Sequence, residues 1–299
     1  MKFVITGGAG FIGSHIAKHL VEKNHDVIII DNLSRGRLEN LSEIKEQIEF
    51  KKIDILDFNS LKDVVSNSDG IFHQAALTSV PESFLQKEKY HNVNVKGTEN
   101  IFKLAKEFGK KVVYASSSSV YGNTTTIPIQ ENFEKNPINP YGITKLDDEK
   151  LAQKYHNLGV SIIGLRYFNV YGVGQTNDYA GVITKFINQI NLNESPIIFG
   201  DGLQTRDFIS VEDVAKANLS SMESNTDFSF LNIGTGISTS VKTLAEIMMD
   251  LSGKTLELSY DDLPLGDVKD SLADVSLAKQ LINWNYDTLL KNGLKKFFF

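Results

Sequence analysis

Short β-branched runs alternate with helical patterns through the first half of the chain. They are KFVIT at 2–6, VIII at 27–30, IEFKKID at 48–54, GIFHQAA at 70–76, KVVYASS at 111–117 and SIIGLRY at 161–167. Near-continuous apolar strands separated by helices imply an α/β fold, a doubly wound parallel sheet covered on both faces. Between the first two runs, Ile12, Ile16 and Leu20 recur at helical spacing while His15, His19 and Lys23 occupy another face, giving a strand-turn-helix-strand unit.

Beyond Tyr167 the rhythm loosens into a helical stretch around 180–192, a loop from Ser195 to Arg206, and helical patterns at 211–222 and 240–251. The expected division is a nucleotide-binding domain over 1–167, with later strand and helix returns from 205–235, and a smaller α/β substrate-binding lobe over 168–299. No repeat, Gly/Ser linker or low-complexity tract separates the two, so an extensive shared interface is expected.

Composition narrows the functional classes. The 299 residues carry 31 Lys plus Arg against 37 Asp plus Glu, a net charge of −6, so no broad basic field points to nucleic acid or an anionic membrane. Cysteine is absent, which removes disulfides, thiolate metal sites and thiol nucleophiles. Met1 leads straight into a strand pattern, and no stretch holds 18 uncharged apolar residues, so a cytoplasmic protein is expected. His15 and His19 have the i, i+4 spacing of metal-binding helices but lack the Glu of HExxH; they are expected on a solvated surface, and no metal is predicted.

GGAGFIG at 7–13 follows a strand and opens a helix, the context that gives a Gly7-x-x-Gly10-x-x-Gly13 loop its meaning. In a Rossmann unit Gly7 permits the tight turn, Gly10 lets the backbone approach a pyrophosphate, and Gly13 allows close helix-strand packing. The helix N-terminus supplies N–H groups for phosphates. Asp31, at the end of the second strand, can accept hydrogen bonds from ribose hydroxyls and would repel a 2′-phosphate, which favours NAD; Arg35 and Arg37 close by keep NADP open. Asp54 closes the third strand as an adenine-rim residue or simply as a turn residue.

Tyr141 and Lys145 lie in NPYGITKLDDEKL, where Pro140 marks a helix start and four-residue spacing puts both side chains on one face. A phenol with an ordinary pKa of about 10 is a poor base at neutral pH. A neighbouring ammonium and a cationic nicotinamide ring favour its phenolate. Upstream, the fifth strand runs into ASSSSVYG at 115–122, delivering hydroxyls to the sheet edge where such folds bind ligands. The run Asp147-Asp148-Glu149 is expected to be a solvated helix face.

These residues resemble the extended short-chain dehydrogenase/reductase family, and within it the UDP-glucose 4-epimerase-like sugar-nucleotide enzymes. The resemblance covers nearly the whole chain, through GGAGFIG, DNL at 31–33, HQAA at 73–76, NVNVKGT at 92–98, SSSSVYG, PYGITK, LRYFNVYG at 165–172, TRDFISVEDV at 205–214, NIGTG at 232–236 and GDVKDSLAD at 266–274. It implies Tyr141 as base, Lys145 as its partner, and Ser117 as the hydroxyl that meets the reacting sugar oxygen, with Ser118 the alternative. Around the cofactor it implies Phe11 and Ile12 beside the glycines, Asn32 beside Asp31, Ile55 beside Asp54, and Ala75, Asn94 and Phe168. For the substrate it implies Asn169 at the diphosphate or uridine, Phe199 at the uracil, the phosphate-binding Arg206, and Asp267 and Ser271.

Members of that family that eliminate water carry an Asp-Glu pair just before VYG, and decarboxylating ones a Glu; this chain has Ser118 and Ser119. The resemblance therefore implies NAD-dependent 4-epimerisation of a UDP-sugar through a 4-keto intermediate, in a homodimer. Pro264 stands where related epimerases carry a diphosphate-gripping arginine; either Lys269 or Arg206 carries more of that load, or the nucleotide sits differently. Ser271, at a position beside the carbon 2 substituent, either leaves room for an N-acetyl group or simply begins a short strand. The rival readings are a dehydratase, decarboxylase or reductase on the same fold, and a non-catalytic NAD-binding protein.

Overall fold

The structure, a computed structural model, describes residues 1–175, 181–262 and 269–298. Each of the six apolar runs forms a strand: β1 (Lys2–Thr6), β2 (Asp26–Ile30), β3 (Ile48–Lys51), β4 (Gly70–His73), β5 (Lys111–Ser117) and β6 (Ile162–Tyr167). A later strand, β7 (Phe228–Ile233), joins them in one sheet of order β7-β6-β5-β4-β1-β2-β3, with every neighbouring pair parallel. Two strands stop earlier than expected. β3 ends at Lys51, and Asp54 turns the chain by accepting the Leu56 N–H; β4 ends at His73, and Ala75 lies close against the Gly7 turn.

Among the described residues, seven helices of nine or more residues accompany the sheet: α1 (Phe11–Glu22), α2 (Phe58–Ser66), α3 (Gly97–Phe108), α4 (Pro140–His156), α5 (Val182–Asn191), α6 (Val211–Glu223) and α7 (Val241–Ser252). Side chains alternate across each strand, so both faces are apolar. Phe3, Ile5, Ile29, Phe72 and Leu165 pack on Ile16, Ala17 and Leu20 of α1 and Val214 and Met222 of α6. Val4, Ile28, Ile71, Val112 and Ile162 pack on Leu61 of α2, Phe102 and Ala105 of α3, and Ala152 and Tyr155 of α4. A third cluster, with Phe186 and Ile190 of α5 and Leu244 and Met248 of α7, forms the core of the lobe built largely between β6 and β7. Among the described residues no helix is long and apolar enough to cross a membrane.

The acidic run on α4 is not a solvated face. Asp147 alone stays outside, paired with Lys150; Asp148 and Glu149 are buried. Glu149 receives Arg166 Nε and Nη2, each at 2.7 Å, and the Ser116 hydroxyl at 2.7 Å. Arg166 Nη1 donates to the Tyr121 hydroxyl at 2.7 Å, which donates to Asn232 Oδ1 at 2.6 Å. This chain of bonds fastens α4 to β5, β6, β7 and the segment after β5, and it compensates the desolvation of both charges.

His15 and His19 are likewise less solvated than their pattern suggests. His15 is half-buried, with Nε2 2.9 Å from the Val173 carbonyl oxygen, because the chain that leaves the sheet after β6 covers that side of α1. Burial lowers the pKa of both imidazoles. Among the described residues no group of His, Asp and Glu is arranged to hold a metal.

Candidate active site

The chain runs outward from β1 to β2 and β3, then crosses to β4 and continues through β5 and β6 in the other direction. Loops leaving β1 and β4 therefore diverge, and a crevice opens at the C-terminal edge. It holds a cavity of about 640 Å³. Gly7, Gly10, Phe11, Ile12 and Gly13 line one wall, with Asp31, Asn32, Asp54 and Ile55 after β2 and β3. Ala75 and its neighbours follow β4; Ser117, Tyr141, Lys145 and Phe168 complete the far end.

The glycines are there for close approach. Gly7 has φ +67°, and a Cβ on it would lie 2.7 Å from the Ala75 Cα; a Cβ on Gly13 would lie 2.2 Å from the Gly7 carbonyl oxygen. Gly10 is the N-cap of α1 and no side chain caps that helix, which leaves first-turn N–H groups for an anionic ligand. Asp31 accepts the N–H groups of Leu33 at 2.8 Å and Ala9 at 3.1 Å. Burial pushes its carboxyl up, and those two bonds oppose the shift. Asn32 Nδ2 donates to Asp54 at 2.8 Å, fixing the rim between β2 and β3. Arg35 lies in the same wall with Nη2 at 2.8 Å from both carboxylate oxygens of Glu82, so its fork is directed at a carboxylate. An uncapped helix start, glycines where a Cβ would collide, and a carboxylate at the second strand's end fit a dinucleotide without a 2′-phosphate.

At the far end, Asn139 caps α4 by accepting the Gly142 N–H at 2.8 Å, and Pro140 fills the first turn. One turn apart on that helix, Tyr141 and Lys145 both line the cavity. Lys145 is buried, with Nζ 3.2 Å from Asp148 Oδ2. The Ser117 Oγ accepts the Ser119 N–H at 3.1 Å, which leaves its own proton to donate. Ser118 lies in the short turn after β5 and does not line the cavity.

Other expected positions fall elsewhere. Asn94 is fully buried behind the cavity, where it bonds the Leu77 N–H and carbonyl and the Thr144 hydroxyl, so it shapes the wall without forming it. Asn169 sits in a short parallel ladder, Asn169–Tyr171 with Phe208–Ser210, and is not among the lining residues. Arg206 lies in a short antiparallel ladder with Thr239, and its Nη1 donates to the Thr205 and Lys269 carbonyls. Ser271 is buried, its N–H on the Thr205 carbonyl. Pro264 and Asp267 lie outside the described residues. Phe199 lines a separate cavity of about 240 Å³ with Asn188, Gln189, Ile197 and Lys185.

Two residues escaped the sequence reading. Lys185, on α5, lines both cavities, and its Nζ lies 5.7 Å from the centre of the Phe199 ring. Asp207, fully buried, accepts the N–H groups of Thr235, Gly236 and Ala273 and the Thr235 hydroxyl, clamping the NIGTG turn to the segment that carries Ser271. The TRDF and NIGTG motifs signalled Asp207; nothing local signalled Lys185.

Comparison with known proteins agrees with this geometry. Residues 3–234 match the NAD dependent epimerase/dehydratase family. A putative UDP-glucose 4-epimerase of Methanocaldococcus jannaschii is 42% identical, over 98% of this chain and 96% of that one. A UDP-N-acetyl-alpha-D-glucosaminuronate decarboxylase of Bacillus cytotoxicus is 33% identical over 99% and 96%. The solved UDP-N-acetylglucosamine 4-epimerase of Methanobrevibacter ruminantium, in complex with UDP-N-acetylmuramic acid, superposes with a TM-score of 0.95 at 38% identity, covering 99% of this chain and 96% of that one. The chain belongs to the NAD dependent epimerase/dehydratase family, and its sheet is the Rossmann sheet of those enzymes.

Proposed function

We propose that this member of the NAD dependent epimerase/dehydratase family inverts carbon 4 of a UDP-hexose. The observation that carries the reading is that Ser117, Tyr141 and Lys145 share one cavity with the dinucleotide-shaped glycine loop, while serines stand just before Val120 in place of carboxyl groups. Oxidation and re-reduction of an alcohol need a hydroxyl-proton acceptor that works in both directions. Dehydration needs a further acid and base, and Ser118 and Ser119 are neither.

NAD, held by the α1 N-terminus, Asp31 and the cavity wall, supplies the hydride acceptor and donor for carbon 4. Tyr141, as phenolate, takes the proton from the 4-hydroxyl, and the Ser117 hydroxyl donates to the same oxygen as it becomes a ketone. Lys145 favours the phenolate by its charge. The 4-keto sugar turns about its link to the diphosphate and presents its other face, and Tyr141 returns the proton to the carbonyl oxygen. Phe168 and the residues that follow β4 line the cavity in which the keto sugar forms.

Lys185 takes the place of the expected arginine at the diphosphate, because it stands where the sugar end and the Phe199 cavity meet and among the described residues has no carboxylate partner. UDP-glucose and UDP-galactose are the proposed pair, with the N-acetylated hexosamines as further candidate substrates. A homodimer is supported by exposed Phe84 and Leu85 on the short helix Val80–Leu85 beside α4 and by exposed Ile143 on α4 itself. The absence of cysteine suits a reducing cytoplasm.

NMR of the products from UDP-glucose, UDP-GlcNAc, UDP-glucuronate and their 4-epimers tests the assignment. Interconversion at carbon 4 without net change in NAD is expected. Loss of CO₂ or water, or accumulation of NADH in step with product, overturns it.

A further inference from the structure

Beneath the candidate base lies a buried acid that the proposed chemistry does not use. Asp148 is fully buried on α4; its Oδ2 lies 3.2 Å from Lys145 Nζ, and its Oδ1 has no hydrogen-bond partner. The groups facing it come from four elements. From α4 itself there are Lys145 and, further out, Asp147. From α3, Thr98 adds a pull that holds the carboxyl down. From β4, His73 reaches Thr98 through Nε2 at 2.8 Å, and its Nδ1 meets the Thr6 hydroxyl of β1 at 2.6 Å. From β5, the buried Tyr114 hydroxyl adds no partner, although the charge of Asp148 acts on it.

Lys145 pairs with the anion of Asp148 directly, and Thr98 favours that anion from α3. Such an anion competes directly with the phenol for the lysine's charge.

We propose that Asp148 is a positioning residue that governs the lysine: as an anion it holds the Lys145 ammonium back from the Tyr141 phenol, and when protonated it releases that charge to it. This rests on the Tyr/Lys reading above. The carboxyl can take up a proton at physiological pH, since burial pushes it up to about 7 against the opposing pull of Lys145 and Thr98. Phenolate formation is then coupled to a second ionisation on the same helix, and the two protons leave in steps that belong to the pair.

Asp148→Asn keeps the shape and removes the charge. In the NAD-loaded enzyme the acid limb of the kcat profile should move about one unit to lower pH and become a single ionisation. The phenolate absorbance of the variant, taken as a difference against the same variant carrying Tyr141→Phe, should shift by the same amount without substrate. Thr98→Val, which withdraws a donor from the anion, should give a smaller shift in the same direction, and it decides the matter if Asp148→Asn does not fold. Unmoved midpoints in both readouts, even with reduced turnover, mean that Asp148 serves only the fold and overturn the proposal. Full turnover in Tyr141→Phe instead defeats the functional reading, while the absorbance shift still decides the role of Asp148.

Discussion

Glu149 on α4 grips Arg166 on β6 through two hydrogen bonds of 2.7 Å, with both side chains removed from solvent. One partner cannot be lost cheaply, because the other would remain charged and buried. Glu149→Gln is expected to destabilise the protein by about 3–5 kcal/mol in urea unfolding. Replacing both partners with apolar residues of similar volume should cost less than that single change; an equal or larger cost would show that the charges themselves matter more than their mutual satisfaction.

Tyr141→Phe removes the phenol proton acceptor and leaves the ring in the wall of the cavity. Turnover should fall about 10²- to 10⁴-fold, with circular dichroism and NAD content unchanged. A loss below tenfold would take the hydroxyl out of the proton path.

Lys185→Met tests the diphosphate assignment. A hydrogen bond to a charged group contributes about 1.5–3 kcal/mol, so KM for the UDP-sugar should rise tenfold or more while kcat changes little. An unchanged KM would return the phosphate load to Arg206 or Lys269.

His73 gives the protein an acid sensitivity of its own. Complete burial, with a contribution from the Lys145 charge, lowers the imidazole to about 3 in the folded state. The unfolded chain binds a proton near pH 6.5, so the stabilising difference is fully present above that pH and is lost as pH falls towards 3. Between these limits urea unfolding should show a slope of up to about 1.4 kcal/mol per pH unit from this group. His73→Asn should flatten the profile by about one proton; an unaltered slope would assign the acid sensitivity to other groups.

Much of the scaffold was legible because the sheet is buried on both faces and its strands read as apolar runs with glycine or acidic punctuation. Gly7, Gly10, Gly13 and Asp31 announced themselves through position relative to β1 and β2, and Tyr141 and Lys145 through the spacing that brings them to one wall. Asp148 and Glu149 did not, because three acids in a row carry the signature of a wetted helix face. What buries them is Arg166 and Ser116 on β6 and β5 and Thr98 on α3, residues distant in sequence. Asn94 belongs to a motif whose Val93 lines the cavity, whereas its own amide turns towards Leu77 and Thr144. Lys185 was invisible for the opposite reason: its importance arises only when α5 docks between two cavities.

β6 and β7 are parallel neighbours, so the chain that leaves the sheet near Tyr167 must re-enter at Phe228, opposite Ile162 at the other edge. The intervening segment is thus a strap fastened above and below the sheet. Because α7 and its partners in the lobe core follow β7, a chimaera that borrows another enzyme's sugar-facing portion needs splices on both sides of β7, and a single cut-and-join at the end of β6 would leave β7 without its place beside β6.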